Sequence, residues 1–171
     1  MSESQTPQPP QSPDFKREFR LYPYQWITIP LLFIVPILAI FGLFDANIVD
    51  VRASGDNVEL RVEYSTRYRY YMDVPAYVFV TNTSDAALPV ITVRFDRAFV
   101  DNFIEIQFTP DTNAVTERWY EVDLEDVQAG ETRMIRVDLQ ADDYGTQRGT
   151  VAVAVGETAV ADVQLDSFIY P

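Results

Sequence analysis

Residues 58–64 read VELRVEY, in which four apolar side chains alternate with three charged ones. Successive side chains of a β-strand point to opposite faces of its sheet, so this alternation predicts a strand with one buried face. Residues 48–53 (IVDVRA) precede it, and the turn-forming sequence Gly55-Asp56-Asn57 lies between the two segments. Together they predict a β-hairpin.

The same period of two continues towards the C-terminus. Gly156-Glu157 separates the last two apolar segments and is expected to be a two-residue hairpin loop. No helical pattern separates the segments, so we expect an all-β domain built as a sandwich of two antiparallel sheets. Its further strands are predicted at residues 76–81, 90–95, 103–108, 119–124, 133–139, 150–155 and 158–165.

Four segments of this domain resemble a known family. They are VFVTNTS (78–84), LPVITVRF (88–95), VQAGET (127–132) running into MIRV (134–137), and GTVAV (149–153). They look like bacterial immunoglobulin-like domains of the CARDB kind, over roughly residues 76–156. The resemblance implies an immunoglobulin-like antiparallel β-sandwich and brings no catalytic residues. Similar domains lie on the outer side of several accessory proteins of membrane complexes.

The triplet Asn82-Thr83-Ser84 within the first segment also matches a glycosylation acceptor. Asparagine, threonine and serine favour turns because their side chains hydrogen-bond to nearby backbone groups. We interpret the triplet as the turn that leads the chain out of a core strand.

Residues 26–44 (WITIPLLFIVPILAIFGLF) contain no charged side chain. As a helix this stretch would span roughly 28 Å, which matches the hydrocarbon core of a bilayer. It predicts one transmembrane helix, in which the hydroxyl of Thr28 bonds back to its own helix and Pro36 introduces a kink that packs against a neighbour. A cleaved signal peptide is the rival interpretation, but the stretch is longer than usual and no clear cleavage site follows it.

The flanks of this stretch predict its orientation. Lys16, Arg17 and Arg20 precede it, whereas Asp45 and Asp50 follow it. The positive-inside rule then places residues 1–25 in the cytoplasm as a tail, of which the Pro-, Gln- and Ser-rich residues 1–13 are expected to be disordered. Residues 45–171 would form a periplasmic or other extracytoplasmic domain, tethered to the inner (cytoplasmic) membrane.

Composition excludes several classes of function. The chain has 13 basic and 26 acidic residues, for a net charge of −13, so nucleic acid is a poor partner. It has no histidine and no cysteine, which excludes the usual zinc, copper and haem ligand sets, the Ser-His and Cys-His nucleophile pairs, and disulfides. We therefore expect no cofactor and no enzymatic activity; a carboxylate-dependent hydrolase is retained only as a third alternative.

The segment TRYRYYM at residues 66–72 is the first candidate docking surface. Arginine and tyrosine are enriched at interface anchors, and here Arg67, Arg69 and Tyr71 alternate with Tyr68 and Tyr70. The alternative is an ordinary strand, with one tyrosine face buried and the arginines outside.

The loop at residues 96–103 is the second candidate surface, because it carries Arg97, Phe99 and Phe103. The aromatic C-terminal residues 168–171 (FIYP) belong with it. Apolar residues at loop tips of a tethered domain are expected to contact lipid or another subunit. The alternative is that these side chains fill the core.

These observations predict a non-catalytic accessory or scaffold subunit of a larger membrane complex, of which respiratory and photosynthetic complexes are examples. The expected partners are integral membrane subunits of that complex and the lipid bilayer, and the acidic surface makes a basic soluble protein a further candidate. The alternative is a stand-alone module on the membrane surface that senses a ligand or Ca²⁺. Its acidic clusters would be Asp138, Asp142 and Asp143, or Asp123, Glu125 and Asp126, although neither has the spacing of an EF-hand loop.

Overall fold

The computed structural model of this chain describes Tyr22, residues 24–40 and residues 47–171. The chain separates into two compact units, Met1–Phe44 and Asp45–Pro171. The predicted disordered tail, the basic flank with Lys16, Arg17 and Arg20, residues 41–44 of the predicted span, and Asp45 all lie outside the described residues.

The described part of the first unit is mainly the helix α1, which covers Gln25–Ile40 and has 16 residues. The hydroxyl of Thr28 donates to the carbonyl of Tyr24 at 3.1 Å, as predicted. Pro30 and Pro36 lie inside the helix. No helix within the described ranges has the length and apolar character needed to cross a membrane.

The second unit is an all-β domain, which confirms the predicted fold class, and each of the nine predicted strands lies within an observed one. The short strand β7 and the four-residue helix α2 were not predicted, and β3 lies in the segment at residues 66–72, for which a strand was the alternative interpretation. The elements are β1 (Ile48–Gly55), β2 (Val58–Ser65), β3 (Arg67–Arg69), β4 (Asp73–Asn82), β5 (Leu88–Asp96), α2 (Arg97–Val100), β6 (Phe103–Thr109), β7 (Ala114–Val115), β8 (Trp119–Val127), β9 (Thr132–Ala141), β10 (Gly145–Val155) and β11 (Thr158–Tyr170).

The strands form two sheets. Sheet I has the order β1-β2-β4-β9-β6, and sheet II has the order β3-β11-β10-β5-β8-β7. All pairs are antiparallel except β3 with β11, which is parallel. In an immunoglobulin constant-type domain, strands A, B, E and D form one sheet and strands C, F and G the other. Strands β2, β4, β9 and β6 take the first set of positions here, and β5, β10 and β11 the second, so the sandwich is immunoglobulin-like with β1, β3, β7 and β8 added at its edges.

The two ends of the sandwich differ in what they contain. Asn47, where the described chain enters the domain, lies beside the end of β2, because the backbone N–H of Thr66 donates to its carbonyl at 2.9 Å. We call this the proximal end; the connections β2–β3, β3–β4 and β9–β10 and the end of β11 also lie there. The distal end contains the β1–β2 and β10–β11 hairpin loops and the β4–β5 and β8–β9 connections.

Alternation along the strands builds the core. In β2, Val58, Leu60 and Val62 are completely buried, and the charged residues between them are only partly covered. The inner faces of the two sheets together bury a continuous apolar cluster. Because the chain has no cysteine, this cluster and the hydrogen bonds around it stabilise the domain without a disulfide.

Both predicted hairpins are present. Gly55 pairs with Val58 around Asp56-Asn57, and Asn57 has a left-handed φ of 66°. Gly156 has φ 64° in the loop between β10 and β11. Gly55 is also required by space, because a Cβ at this position would lie 1.9 Å from the carbonyl oxygen of Val160 in β11.

Asn82 is a buried polar residue that links the two sheets at the distal end. It is the last residue of β4, and no part of it is exposed. Its side-chain amide donates to the carbonyls of Ala86 at 2.8 Å and Val127 at 2.9 Å, the latter at the end of β8. Its Oδ1 accepts from the backbone N–H of Ser84 at 2.9 Å and from the Ser84 hydroxyl at 2.6 Å.

The backbone of Asn82 extends this link to the β8–β9 turn. Its N–H donates to the carbonyl of Glu131 at 3.0 Å, and its carbonyl accepts from Gly130 at 2.9 Å. Gly130 has φ 73°, which the turn requires. The Asn82 side chain is completely buried, and both its amide and its Oδ1 are hydrogen-bonded within the domain. The Asn-Thr-Ser triplet is therefore the predicted turn and not a glycosylation site.

We predict that Asn82→Ala lowers the free energy of unfolding by about 3 kcal/mol, since it leaves buried carbonyls without donors. Urea unfolding of the purified chain measures this. Thr83→Ala is the matched control: Thr83 is adjacent and exposed, so its replacement should change stability by less than about 0.5 kcal/mol. Equal effects of the two substitutions would show that Asn82 does not hold the sheets together.

Candidate docking surfaces

The Arg/Tyr segment contains strand β3, which adds to the edge of sheet II beside the end of β11. Arg67 and Arg69 are exposed, whereas Tyr68 between them is only 1% exposed. Tyr68 pairs with Ile169 in β11. The alternative interpretation, a strand with the arginines outside and a tyrosine inside, therefore holds for residues 67–69, and the candidate docking role of Tyr68 is wrong because the side chain is buried.

Tyr68 is among the largest fully buried side chains of the domain. Its ring meets Phe103 edge-on, with centroids 5.4 Å apart. Burial raises the pKa of its hydroxyl. The hydroxyl lies close to the backbone of Ser65 and the side chain of Ser167, but neither contact has the geometry of a hydrogen bond.

Beyond β3 the chain makes a tight turn in which Met72 donates its N–H to the carbonyl of Arg69 at 3.0 Å. Tyr71, the third residue of this turn, has φ 58°, as in a type II turn, where glycine is usual. The ring of Tyr70 packs against Tyr71 at 4.1 Å and against Tyr144, from the β9–β10 connection, at 4.6 Å. We call Tyr70, Tyr71 and Tyr144 the tyrosine cluster.

The contacts within the tyrosine cluster change the pKa of Tyr70. Its pKa is raised to about 12, chiefly because its hydroxyl hydrogen-bonds with Tyr71, and secondarily through partial burial and the charge of nearby groups that include Asp142. Tyr71 and Tyr144 are 59% and 53% exposed, so the cluster lies at the surface of the proximal end.

The loop at residues 96–103 is not an apolar loop tip. It contains α2, whose N-cap Asp96 accepts from the backbone N–H of Ala98 at 3.0 Å. Phe99 and Phe103 are 4% and 3% exposed, and their placement on a docking surface is wrong, because both fill the core. A Cβ at Gly149 would lie 2.2 Å from that of Phe99, so the missing side chain in β10 provides the space for this ring.

Arg97 remains at the surface, but its guanidinium is engaged within the chain. Its Nε donates to Asp101 at 3.0 Å, and an Nη donates to the carbonyl of Thr116 at 3.2 Å. The Tyr120 hydroxyl donates to the other oxygen of Asp101 at 2.7 Å, which raises the pKa of Tyr120. These contacts assign Arg97 a role in holding the turn before β8 against α2.

Two other predicted positions lie at the surface of their own units. Pro36 is exposed on α1, and nothing in the structure tests its role as a contact. Phe168, on β11, is 50% exposed near the proximal end, while its neighbour Ile169 is buried.

The outer face of sheet I carries a group of aromatic and apolar side chains that no sequence motif indicates. Phe79 in β4 pairs with Met134 in β9 and with Arg61 in β2. The guanidinium of Arg61 lies over the Phe79 ring, 4.9 Å from its centroid. Met134 is 50% exposed, and Tyr77 lies two residues before Phe79 on the same face. We call Tyr77, Phe79 and Met134 the sheet I patch.

Charged residues surround the sheet I patch and pair within the chain. Arg61 Nε lies 2.9 Å from Asp50, an ion pair without hydrogen-bond alignment, and Arg61 also contacts Glu63. Arg136 donates to Asp138 at 2.7 Å, which raises the pKa of Arg136. The rim is therefore nearly neutral, and the patch offers apolar and aromatic contact.

The outer face of sheet II differs, because polar pairs cover its centre. Thr92 donates to Asp123 at 2.7 Å, and Arg94 pairs with Glu121 at 2.9 Å. Ala152, which lies beside Arg94 on the same face, presents only a methyl group. Trp119 and Phe168 also lie on this face, but each pairs across strands with a polar residue, Asp96 and Thr146 respectively.

One open cavity of about 320 Å³ lies beside β8, and most of the residues that line it are polar or charged. Asn113 within it accepts from the backbone N–H of Asp123 at 2.7 Å. In the part of the chain that the structure describes, no three His, Cys, Asp or Glu side chains are grouped as a metal site would require. The predicted acidic clusters thus form no Ca²⁺ cage there. The cavity is lined by Pro110, Asp111, Asn113, Asp123, Leu124, Glu125 and Arg133.

Comparison with known proteins finds weak structural likenesses only. No family profile matches the sequence, and no curated protein matches it. The chain is similar to the CARDB domain of the PF1109 protein from Pyrococcus furiosus, solved with di-metal ions, at 11% identity and a TM-score of 0.47, over 66% of this chain and 91% of that one. It is also similar to BslA, a bacterial hydrophobin, at 11% identity and a TM-score of 0.43, over 69% of this chain and 98% of that one. A further similar structure is part of a β-glucosidase from Listeria innocua, at 15% identity and a TM-score of 0.38, over 66% of this chain and 16% of that one. A CARDB domain is thus among the similar structures, as the sequence resemblance implied, but these scores identify no family.

We predict opposite effects for two substitutions at Tyr68. Tyr68→Ala should lower the free energy of unfolding by about 4 kcal/mol, because it opens a cavity beside Phe103. Tyr68→Phe should be neutral or stabilising, since it removes a buried hydroxyl that makes no hydrogen bond. Chemical unfolding measures both, and Arg69→Ala on the same strand should change stability by less than about 0.5 kcal/mol. A strongly destabilising Tyr68→Phe would show that the hydroxyl is bonded.

We also predict that Tyr70 loses its proton at a higher pH than an ordinary tyrosine does. A tyrosine in an unfolded chain has a pKa of about 10. Because the folded pKa is raised, the interaction contributes stability below pH 10 and loses it as the pH rises towards 12. The difference in phenolate absorbance between the native chain and Tyr70→Phe measures this one group. A midpoint near 10 would contradict the hydrogen bond with Tyr71.

Proposed function

We propose that this protein is a non-catalytic accessory subunit, anchored in the cytoplasmic membrane by one helix, that binds a neighbouring membrane protein through the sheet I patch. The anchor rests on the uncharged stretch at residues 26–44 and on the basic residues that precede it. The docking role rests on the outer face of sheet I. The absence of histidine and cysteine supports a binding role over a catalytic one.

The observation that carries the docking role is the difference between the two outer faces. Outward positions of a strand that faces water are usually polar. On sheet I they include Tyr77, Phe79 and Met134 in adjoining strands, whereas on sheet II the corresponding centre is covered by polar pairs. Aromatic residues, methionine and arginine are the types enriched in interface cores, and all of them are present in or beside this patch.

The pairing of the surrounding charges indicates how a partner would bind. Arg61 and Arg136 already have acidic partners within the chain, so a binding protein need not neutralise them. A ring of satisfied ion pairs around an apolar centre excludes water from the contact. We therefore expect the affinity to come from the apolar side chains and to depend weakly on salt.

No observation favours the sensor alternative. The described residues contain no metal-ligand group, and the open cavity beside β8 offers scattered carboxylates rather than a closed set of ligands. Addition of Ca²⁺ to the purified chain is accordingly expected to leave its unfolding temperature unchanged.

The docking role is tested with two matched substitutions. Met134 in the sheet I patch is 50% exposed, and Val115 in β7 of sheet II is 53% exposed. Met134→Asp should weaken binding of a co-purifying membrane partner at least about tenfold, the loss expected for an interface anchor. Val115→Asp should leave binding unchanged, because it introduces the same charge outside the patch.

The measurement is quantitative mass spectrometry of proteins retained by tagged chain in mild detergent, followed by titration of the retained partner. Equal binding by both variants would remove sheet I from the interface. A native chain that elutes alone from its own membranes would overturn the subunit role itself.

A further inference from the structure

The proximal end of the domain exposes a second apolar surface, separate from the sheet I patch. Tyr71, Met72, Tyr144 and Phe168 are between 45% and 59% exposed. They come from three segments, the β3–β4 turn, the β9–β10 connection and the end of β11. Tyr71 is tied to the second of these segments, because its backbone N–H donates to the carbonyl of Ala141 at 2.9 Å.

We propose that this proximal surface rests on the lipid bilayer, with the tyrosine cluster in the headgroup layer. The inference rests on the membrane anchor of the proposed function and specifies how the domain stands on the membrane. Tyrosine is enriched at the membrane–water interface, because its ring is apolar while its hydroxyl stays hydrated.

The short distance along the chain between α1 and the domain indicates that this surface contacts lipid. Only residues 41–46 separate the end of α1 from Asn47, and six residues span at most about 20 Å. Asn47 bonds to Thr66, immediately before β3, so the chain enters the domain at the end that carries the exposed tyrosines. We expect so short a tether to keep this end, rather than the distal loops, nearest the bilayer.

Tyr71 adds an independent observation. A bulky residue in the left-handed region is strained, and such strain persists where a side chain is needed in one direction. Glycine would make the same turn without strain and without a ring. The presence of tyrosine at this position is consistent with selection for a surface contact rather than for the fold.

Charge indicates which lipid surface suits this end. Arg67 and Arg69 lie on β3 near the tyrosine cluster, but Asp142 and Asp143 adjoin Tyr144 and are also exposed. Asp73, next to Met72, is exposed at this end as well, so acidic residues outnumber the two arginines and the proximal surface is not a basic patch that seeks anionic lipid. Contact with zwitterionic headgroups through aromatic and apolar side chains is what this arrangement favours.

The experiment uses the full chain in phosphatidylcholine vesicles that contain a lipid with a nitroxide quencher on its headgroup or upper acyl chain. The natural chain has no cysteine, so single cysteines can carry a fluorescent label without other changes. Met72→Cys and Tyr144→Cys report the proximal end. Asp85→Cys and Glu157→Cys, both exposed in distal loops, are the controls.

The expected result is strong quenching of the labels at positions 72 and 144 and none at positions 85 and 157. Vesicle flotation is measured first: a chain that does not float with vesicles would overturn the anchor and this inference together. A chain that floats but shows equal, weak quenching at all four positions would overturn the inference alone. Proximal quenching that appears only at high protein-to-lipid ratio would assign the surface to a second copy of the chain and would also overturn it.

Tyr71→Gly separates lipid contact from folding. It removes the ring contact and the hydrogen bond with Tyr70 but relieves the left-handed strain, so the unfolding temperature should change little. The label at position 144 should be quenched less, since one ring of the proximal surface is gone. Full quenching in this variant would show that Tyr71 does not contribute to the lipid surface.

Discussion

The hydrogen bonds of Asn82 are the constraint on which the sandwich depends. The chain passes between the sheets repeatedly, and two of these passages, from β4 to β5 and from β8 to β9, occur at the distal end. A crossing leaves backbone carbonyls near the core with no strand partner, and unpaired buried carbonyls are costly. The Asn82 amide satisfies one carbonyl from each passage, those of Ala86 and Val127, so a single side chain fixes the spacing of the sheets at that end.

The proximal end is closed by a different interaction. Tyr68 closes the sandwich from within through its contact with Phe103, and the rings of the tyrosine cluster cover the turn outside it. Rings in contact need no exact set of donors, so this end tolerates a surface exposed to solvent or lipid. At the distal end the hydrogen bonds of Asn82 hold the two sheets together. At the proximal end the sheets are held by contacts between aromatic rings, which leave outward-facing rings exposed. The division explains why exposed aromatic side chains gather where the chain enters.

Local sequence patterns were sufficient to predict the strands, because alternation such as that of residues 58–64 is a property of neighbouring residues. The same reasoning offered a strand with Tyr68 inside and Arg69 outside only as the alternative to a docking segment, and the alternative is what the structure has. It failed for Phe99 and Phe103, because the space that Phe99 fills exists only where Gly149 packs against it, fifty positions further along the chain. The sheet I patch was missed for a related reason: Phe79 and Met134 are each an ordinary outward residue, and only the pairing of β4 with β9 makes them neighbours. Alternation assigns a residue to a face, but it does not say which strands adjoin.

The two proposed surfaces together restrict the kind of partner that fits. If the proximal end rests on the bilayer as proposed, a partner approaches the outer face of sheet I from the side. Phe79 lies six residues beyond Asp73, the first residue of β4, so the patch is about 20 Å from the proximal end at 3.3 Å per residue. A partner for the patch would then need a folded part of its own outside the membrane, with an apolar surface that matches Phe79 and Met134, because transmembrane helices alone would not extend that far.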